Sequence, residues 1–219
     1  MVAPIPKNER RRLEVLWQYD VLDTVPEQVF DDLTELAARI CEAPIALITL
    51  VDEKRQWFKS KVGITLRETN RDVSFCGHAI MQRELFIVPD ATKDARFADN
   101  PLVVSDPKIR FYAGAPLITP DGHALGTLCV IDKVPHDLHL DHKRALEILS
   151  RHVMTQLELR RHARELAATK QERDNIRADL QRVRDELNDA RRQLAQLGKP
   201  VPASRRRTIR ASSKGSRGK

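Results

Sequence analysis

The chain has 219 residues, 41% of them hydrophobic and 32% charged, with a formal net charge of +7. This length suits one well-cored domain with extensions and argues against two large domains. No apolar run approaches the roughly 18 residues of a transmembrane helix, and the N-terminal stretch lacks the apolar segment of a signal peptide. We therefore expect a cytoplasmic protein. Its cysteines, Cys41, Cys76 and Cys129, have no framework spacing, which argues against structural disulfides.

Two helices are predicted at the start of the chain, over residues 7–22 and 26–42. Apolar residues recur at helical spacing in both, and Trp17 belongs to the apolar set of the first. Thr24 precedes Pro26 in the connection between them. We expect Thr24 to cap the second helix, because proline is favoured in the first turn of a helix.

After the second predicted helix, the spacing of apolar residues changes from that of helices to that of β-strands. The apolar run PIALITLVD and the alternating run RQWFKSKVG predict a hairpin, with Trp57 and Phe58 on opposite faces of its second strand and one of them in the core. LFIVPD predicts a further strand. FYAGAPLIT and HALGTLCVID predict a pair of strands around a Thr-Pro-Asp-Gly turn. Together these elements predict an α+β domain with a mainly antiparallel central sheet and flanking helices.

Two segments between the strands carry polar signals. Residues 74–83, which begin SFCGHAI, predict a short helix that Ser74 caps. Residues 90–110 contain several Asp, Asn and Pro turn signals and predict a long polar loop. The short helix would place the thiol of Cys76 in its first turn.

From about Leu140 a helix is predicted to continue to Gly198, and its second half has the heptad pattern of a two-stranded coiled coil. The apolar residues at the two seam positions are Leu159, Leu166, Leu180, Leu187 and Leu194 at one, and Ile176, Val183, Ala190 and Leu197 at the other. Charged residues flank this seam with opposite signs, at the spacing that pairs two parallel chains. We expect a parallel homodimer through Leu159–Leu197; a solvated single helix is the alternative.

The last segment, residues 198–219, contains eight Lys and Arg residues and no acid, so the rest of the chain has 30 basic against 31 acidic residues. Its richness in Pro, Ser and Arg predicts a disordered tail. The charge would attract nucleic acid or an anionic membrane, and a solubilising tail is the alternative. The predicted segments are then an N-terminal helix over 1–24, a central domain over 25–158, the coiled coil over 159–197 and the basic tail.

Four stretches, in this order and at these separations, resemble the GAF domain of bacterial sensory proteins. They are NERRRLEVLWQYDVLDTVPEQVFDDLTELAARICEAPIALITLVDEKRQWFKS, SFCGHAI, VPDATKDARFADNPLV and IRFYAGAPLITPDGHALGTLCVID. The resemblance covers roughly residues 8–159 and implies a central antiparallel sheet with helices packed on it. Such domains stand ahead of diguanylate cyclases and histidine kinases. No stretch after Asp132 looks like such an output, so we expect a sensory module that acts on a separate signalling partner.

In this family the ligand pocket lies between the sheet, the short helix and the long loop. The resemblance therefore makes candidate ligand-binding residues of Phe75, Cys76, His78, Asp90, Arg96, Phe97, Arg110 and Tyr112. Arg96 and Arg110 could bind an anionic group bidentately. They could instead pair with aspartates of the loop, the interpretation we favour. Some members bind cyclic nucleotides or attach bilins covalently, but the sequence has no clear pattern for either, so the ligand and any cofactor are unknown.

Cys76 and His78 admit several interpretations. A metal would need further ligands, and Cys129 would supply one only if the fold brings it near. A low-pKa thiol at a helix start would suit a redox sensor or a reductase of the free methionine-(R)-sulfoxide type. That class uses cysteines in the loop over the pocket, and residues 90–110 contain none. A small side chain packed between helix and sheet is the structural alternative, which we favour.

Three functions follow from these features. The first is a sensory module that binds a small ligand or senses redox state and transmits through the dimeric coiled coil. The second is a thiol-dependent reductase that uses Cys76. The third is a nucleic-acid or membrane adaptor that acts through the basic tail. We expect the first, with no catalytic residue and no metal assigned.

Overall fold

The computed structural model describes residues 2–196 and 198, and within them a six-stranded antiparallel sheet has helices on both faces. The strands are β1 (Ile45–Val51), β2 (Arg55–Val62), β3 (Glu68–Asn70), β4 (Phe86–Val88), β5 (Phe111–Ile118) and β6 (Ala124–Asp132). Their order across the sheet is β3-β2-β1-β6-β5-β4, and each neighbouring pair is antiparallel. The predicted α+β fold class is therefore confirmed.

The helices are α1 (Glu9–Gln18), α2 (Gln28–Ile40), α3 (Phe75–Ala79), α4 (Pro101–Val104) and α5 (Leu140–Gln196). Both α1 and α2 lie within the predicted ranges but are shorter. The predicted cap of α2 is wrong, because Glu27 is its N-cap residue and Thr24 Oγ1 donates to the carbonyl of Val21 at 2.7 Å. Trp17 is 51% exposed, so the buried face of α1 is narrower than the apolar pattern indicated.

The two faces of the sheet bury separate hydrophobic cores. One face packs against α1, α2 and the first turns of α5, through side chains such as Leu16, Phe30 and Leu146. The opposite face packs against α3 and the segment between β4 and β5, where Phe75 and Phe97 are buried. A single sheet thus separates α3 from the first turns of α5.

β2 contributes to both cores and contains a bulge. Trp57 and Phe58 are both buried, one in each core, so the expectation that only one of them is a core residue is wrong. The register of β2 against β1 shifts between Ile48 and Thr49, which leaves Lys59 as the extra residue. Such a bulge changes which face the following side chains point to.

The short elements differ most from the prediction. Ser74 caps α3 as predicted, its Oγ accepting from the amide of Gly77 at 3.0 Å. α3 ends at Ala79, before the predicted end, and α4, capped by Asn100, interrupts the predicted loop over 90–110. β3 was not predicted, because its three residues are all polar and give no apolar strand signal, unlike the three apolar residues of β4.

α5 begins at Leu140, as predicted, and continues to Gln196. Its first part packs against the sheet through Leu146, Leu149 and Val153. Among the described residues, no helix is both long enough and apolar enough to cross a membrane.

The chain divides into two units after Glu165. The larger seam side chains that the structure describes are all exposed: Leu159, Leu166, Ile176, Leu180, Val183, Leu187 and Leu194. The predicted seam residue Leu197 and residues 199–219 of the tail predicted over 198–219 lie outside the described residues. The coiled coil therefore stays a prediction, with its apolar seam uncovered in the single chain.

Candidate functional site

A small cavity lies on the α3 side of the sheet, covered by residues 102–109. Its volume is about 30 Å³, which is space for about one water molecule. No charged side chain is among its lining residues, all of which belong to the described part of the chain. The site is therefore largely apolar and, as it stands, nearly filled by its own side chains.

A larger groove of about 570 Å³ lies beside α5, lined in part by Arg83, Ala115, Met154 and Glu158. It is open to solvent, and none of the eight candidate residues lines it. The cavity beside α3 is the one that the sequence analysis indicated.

The eight candidates divide into two groups. Phe75, Cys76 and Tyr112 line the cavity. The other five stand outside its lining: His78, Asp90, Arg96, Phe97 and Arg110. The structure thus brings three candidates together around one space and leaves five in the layer next to it.

Phe97 organises that neighbouring layer. Its ring stacks on Phe75 with centroids 4.0 Å apart, and the His78 ring meets it edge-on at 4.7 Å. The Arg96 guanidinium lies 5.4 Å from the Phe97 centroid and binds Asp94 through two hydrogen bonds of 2.9 and 2.6 Å. This geometry agrees with the ion-pair interpretation of Arg96.

Arg110 binds the covering segment, whereas Asp90 binds Thr92 at the start of the preceding loop. Arg110 Nη1 donates to the carbonyl oxygens of Val103 and Ile109 at 2.8 and 3.0 Å. Asp90 accepts from the backbone amide and the hydroxyl of Thr92 at 3.1 and 2.6 Å. The Arg110 contacts are with carbonyl groups, not with the aspartates that we had favoured.

Cys76 belongs to a buried cluster of thiols and hydroxyls. Its Sγ lies 3.9 Å from Cys129 Sγ and accepts hydrogen bonds from Tyr112 Oη at 3.2 Å and Thr127 Oγ1 at 3.1 Å. Thr49 Oγ1 lies 3.1 Å from Thr127 Oγ1, across the register of β1 and β6. Both cysteines are free thiols, and the neighbours of Cys76 come from three strands: Thr49 from β1, Tyr112 from β5, and Thr127 and Cys129 from β6.

The two thiols differ in acidity. Burial alone raises the pKa of a thiol, because the thiolate loses its hydration. At Cys76, hydrogen bonds from Cys129, Thr127, Thr49 and Tyr112 outweigh burial and lower the pKa below the ordinary value. At Cys129, burial and then the neighbouring Cys76 raise the pKa well above that value. Cys76 is therefore the thiol that ionises first.

His78 does not act on this thiol in the structure. Its Nδ1 lies 3.3 Å from the carbonyl oxygen of Ser74, and burial is the largest effect that lowers its pKa. In the described part of the chain, no group of three or more His, Cys, Asp and Glu side chains is arranged to hold a metal ion. The proximity of Cys129 to Cys76 thus creates a thiol pair.

Two polar residues of the lining were missed by the sequence analysis. Gln56 and Thr69 face each other across β2 and β3, and both line the cavity. Gln56 sits two residues before the buried Phe58 in an alternating strand, which was an available signal for Gln56. Thr69 lies on the unpredicted β3, so nothing indicated it.

An ion pair between a buried lysine and a partly exposed glutamate, on the other face of the sheet, was also missed. Lys59 Nζ, fully buried, lies 2.6 Å from Glu27 Oε1 and donates to the carbonyl of Val25 at 2.9 Å. Arg160 of α5 donates to the same Glu27 oxygen at 3.0 Å. Burial raises the pKa of Glu27, but Lys59 and Arg160 outweigh it and lower the pKa. Glu27 therefore joins β2 to α5; we call this contact the Glu27 bridge.

Residues 25–159 match the sequence profile of the family described as GAF domain. The cyclic di-GMP phosphodiesterase PA2567 of Pseudomonas aeruginosa is 46% identical over 132 residues, which is 60% of this chain and 22% of that protein. The chain thus spans only about a fifth of the length of this curated relative.

Solved structures are similar at lower identity. The GAF domain of an Acinetobacter phosphoenolpyruvate-protein phosphotransferase has a TM-score of 0.52 and 17% identity, with 70% of this chain and 95% of that chain covered. The corresponding domain from Coxiella burnetii has a TM-score of 0.51 and 18% identity, with 74% and 99% covered. At these identities the likeness shows the fold alone.

Proposed function

The chain belongs to the GAF domain family, and on that premise we propose that it is a sensory module in signalling. It binds a small ligand in the cavity beside α3 and passes the bound state through a dimeric coiled coil to a separate partner. The observation that carries this proposal is the position of the cavity and of α5 on opposite faces of one sheet. A change at the cavity wall has only this sheet to cross before it reaches α5.

The strands that form the cavity wall also contact the core around α5. In β1, Ile45 and Leu47 line the cavity, whereas Ile48 and Leu50 belong to the opposite core, which includes the first part of α5. A ligand transmits a signal only if it binds one arrangement of these elements better than another. Close packing of the sheet supports such coupling. Because packed side chains leave little free space, a displacement of side chains on one face moves those on the other face.

The Glu27 bridge supplies a specific route within this domain. Phe58 lines the cavity, and the next residue, Lys59, binds Glu27. Glu27 in turn binds Arg160, which adjoins the first seam residue, Leu159. A shift of β2 at the cavity would therefore alter the contact at which α5 leaves the domain.

Dimerisation is proposed from the exposed seam. A long isolated helix with an uncovered apolar stripe is marginal in water, and pairing of two stripes would remove that apolar surface from water. Opposite charges at the flanking positions favour the parallel arrangement. The name of the curated relative, a cyclic di-GMP phosphodiesterase, supports a signalling setting for the proposed partner.

The test measures oligomeric state and bound molecules on the full chain. Sedimentation equilibrium should give a dimer for the parent protein and a monomer for the double variant Leu180→Lys/Leu187→Lys. Leu140→Lys is the matched control, because Leu140 is 82% exposed but stands outside the seam. Native mass spectrometry of protein from its own cells should show a bound small molecule. A monomeric parent protein would refute transmission through a coiled coil.

A second candidate function, redox sensing, is favoured by the thiol pair. A peroxide would supply the oxidant. The Cys76 thiolate attacks its O–O bond and takes one oxygen as a sulfenic acid, while the other oxygen leaves as water or an alcohol. The Cys129 thiol then attacks that sulfur, so that an S–S bond forms, the S–O bond breaks and water leaves. Two thiols are oxidised by two electrons, and the peroxide is reduced.

The reductase and the adaptor stay alternatives. The reductase hypothesis requires a substrate to reach Cys76, which is 1% exposed. The adaptor hypothesis depends on the tail, which lies outside the described residues. Deletion of residues 199–219, followed by retention on DNA and on anionic vesicles at several salt concentrations, would test the adaptor; unchanged retention would refute it.

A further inference from the structure

Two of the residues that line the cavity have a buried side-chain oxygen without a hydrogen-bond partner among the described residues. Gln56 Oε1 and Thr69 Oγ1 are buried without a hydrogen bond among the described residues, and Gln56 is only 5% exposed. Both residues line the cavity beside α3. Buried polar side-chain atoms usually have a hydrogen-bond partner, so such a pair in one cavity calls for a partner from outside the chain.

The hydrogen-bonding chemistry of Gln56 Oε1 and Thr69 Oγ1 determines which donor and acceptor groups that partner must have. The amide oxygen of Gln56 only accepts hydrogen bonds, and the hydroxyl of Thr69 both accepts and donates. A molecule in the cavity would therefore satisfy Gln56 by donating an N–H or O–H group to it. The same group, or a neighbouring acceptor on the molecule, would reach Thr69, because the two residues face each other across β2 and β3.

The rest of the lining restricts the remainder of the molecule. Apolar side chains surround the cavity, among them Ile45, Leu47, Phe58, Ile64, Phe75 and Ile131. No lining side chain is charged among these described residues. An anion or cation that entered would lose its hydration without gaining a counter-charge, which is strongly unfavourable.

We infer that the cavity takes a neutral, mainly apolar small molecule that donates an N–H or O–H hydrogen bond to Gln56 Oε1. This inference rests on the proposed function, since it names the ligand class of the same cavity. It excludes nucleotides and other phosphate-bearing ligands from this space. Arg96 and Arg110, the two arginine candidates, stand outside the lining and already bind Asp94 and backbone carbonyls respectively.

Entry of an organic molecule requires the cavity to widen. The present volume is about 30 Å³, whereas a cavity of about 150 Å³ admits benzene. Leu102, Pro107 and Ile109 cover the space from the segment around α4. Outward movement of this segment would widen the cavity without breaking the pairing of the central strands.

The test uses phenol, toluene and benzoate as probes on the full chain. Phenol and toluene have nearly the same shape, but only phenol donates a hydrogen bond, and benzoate carries a charge. Methyl NMR signals of Ile64 and Leu102 report occupancy of the cavity. We expect phenol to bind about fivefold more tightly than toluene, the ratio that one neutral hydrogen bond gives, and benzoate to bind more weakly than either.

Two variants test the role of the acceptor. Gln56→Met keeps the length of the side chain but removes the acceptor, so the preference for phenol should be lost. Toluene should then bind at least as tightly as phenol, because the phenol hydroxyl would be buried without this acceptor. Thr69→Val removes the hydroxyl of Thr69 and should reduce the preference for phenol. This variant replaces Gln56→Met as the test if Gln56→Met fails to fold. Gln18→Met, at an exposed position of α1, should leave the preference unchanged.

Three results would overturn the inference. They are equal binding of phenol and toluene to the parent protein, a preference for phenol that persists in Gln56→Met, and no shift of the two methyl signals at millimolar probe. If the protein is nevertheless a dimer with a native small molecule bound, the proposed function stands and only the ligand class is wrong. If the protein is monomeric, transmission through the coiled coil fails whatever the probes show.

Discussion

The sulfur atoms of Cys76 and Cys129 lie 3.9 Å apart, although 53 residues separate them in the chain. α3 brings Cys76 onto the sheet, and β6 supplies Cys129 from the face that α3 covers. A disulfide bond is about 2.05 Å long, so a small movement would join the two atoms. The pair is thus placed for oxidation, while Tyr112 and Thr127 stabilise the Cys76 thiolate.

We predict that mild peroxide converts this pair into a disulfide. After denaturation, the oxidised protein should show one free thiol where the reduced protein shows three, and peptide mapping should find Cys76 joined to Cys129. Cys129→Ser removes the second thiol, so it should leave Cys76 as a sulfenic acid that dimedone traps. Cys41→Ser is the control and should still form the disulfide. A bridge that includes Cys41, or an unreacted Cys76, would contradict redox sensing.

Free methionine sulfoxide should not be reduced by this protein. Cys76 is 1% exposed, and the cavity beside it has no charged lining side chain among the described residues to pair with the ammonium and carboxylate groups of methionine sulfoxide. The measurement is formation of methionine in the presence of a thiol reductant, with Cys76→Ser as the control. Turnover in the parent protein that is lost in Cys76→Ser would establish the reductase in place of the sensor.

Removal of the carboxylate at Glu27 should destabilise the fold strongly. Glu27→Gln leaves the buried Lys59 ammonium without a counter-charge, and loss of one partner of a buried ion pair costs about 3 kcal/mol. Glu35→Gln is the matched control. It breaks the exposed pair with Arg39, which contributes less than about 1 kcal/mol. Urea unfolding of the two variants gives the comparison.

A double variant separates charge from packing at the same position. Lys59→Met/Glu27→Gln removes the charges of both Lys59 and Glu27, so it should recover much of the stability that Glu27→Gln loses, because the fully buried ammonium is gone. Arg160 also loses the carboxylate but keeps its hydrogen bonds to the carbonyl groups of Tyr19 and Asp20. If the double variant is no more stable than Glu27→Gln, the cost does not come from an uncompensated Lys59.

Acid should weaken the fold in part through Glu9. Burial raises the pKa of this carboxyl, but hydrogen bonds from Arg12 and Arg71 outweigh burial and lower the pKa from 4.5 to about 2. Its folded pKa is depressed, so its contribution is complete above about pH 4.5 and is lost as the pH falls toward about 2. A shift of this size corresponds to about 3 kcal/mol at most.

The measurement is the free energy of unfolding against pH for the parent protein and for Glu9→Gln. The variant lacks this titration, so the difference between the two proteins should be largest at neutral pH and should shrink over the acid range. A difference that is constant with pH would show that the hydrogen bonds of Glu9 do not depend on its charge.

The sequence predicted the elements whose signals are local and periodic. The apolar run of β1, the alternation of β2 and the heptads of α5 repeat over several turns or residues, and the structure has β1, β2 and a long α5 where these patterns lie. The cap at Ser74 was also predicted, because the capping hydroxyl and its partner amide are close in sequence. At Thr24 the same kind of signal failed, because Lys59 and the carbonyl of Val21 engage its hydroxyl.

The candidate site was predicted only in part. The family resemblance indicated the α3 side of the sheet, and Phe75, Cys76 and Tyr112 line the cavity there. It did not indicate Gln56 or Thr69, whose unpaired oxygens depend on the pairing of β2 with the short β3.

By itself, the amino-acid sequence determined the family, the fold class and the heptad pattern. Each of them can be recognised from patterns of residues that lie close together along the chain. Only the tertiary structure decided which thiols meet, which carboxylate joins β2 to α5, and which polar atoms stay unpaired in the cavity. These contacts depend on strand order and on the register of the sheet, including the bulge at Lys59. A shift of one residue in that register would turn each side chain to the opposite face.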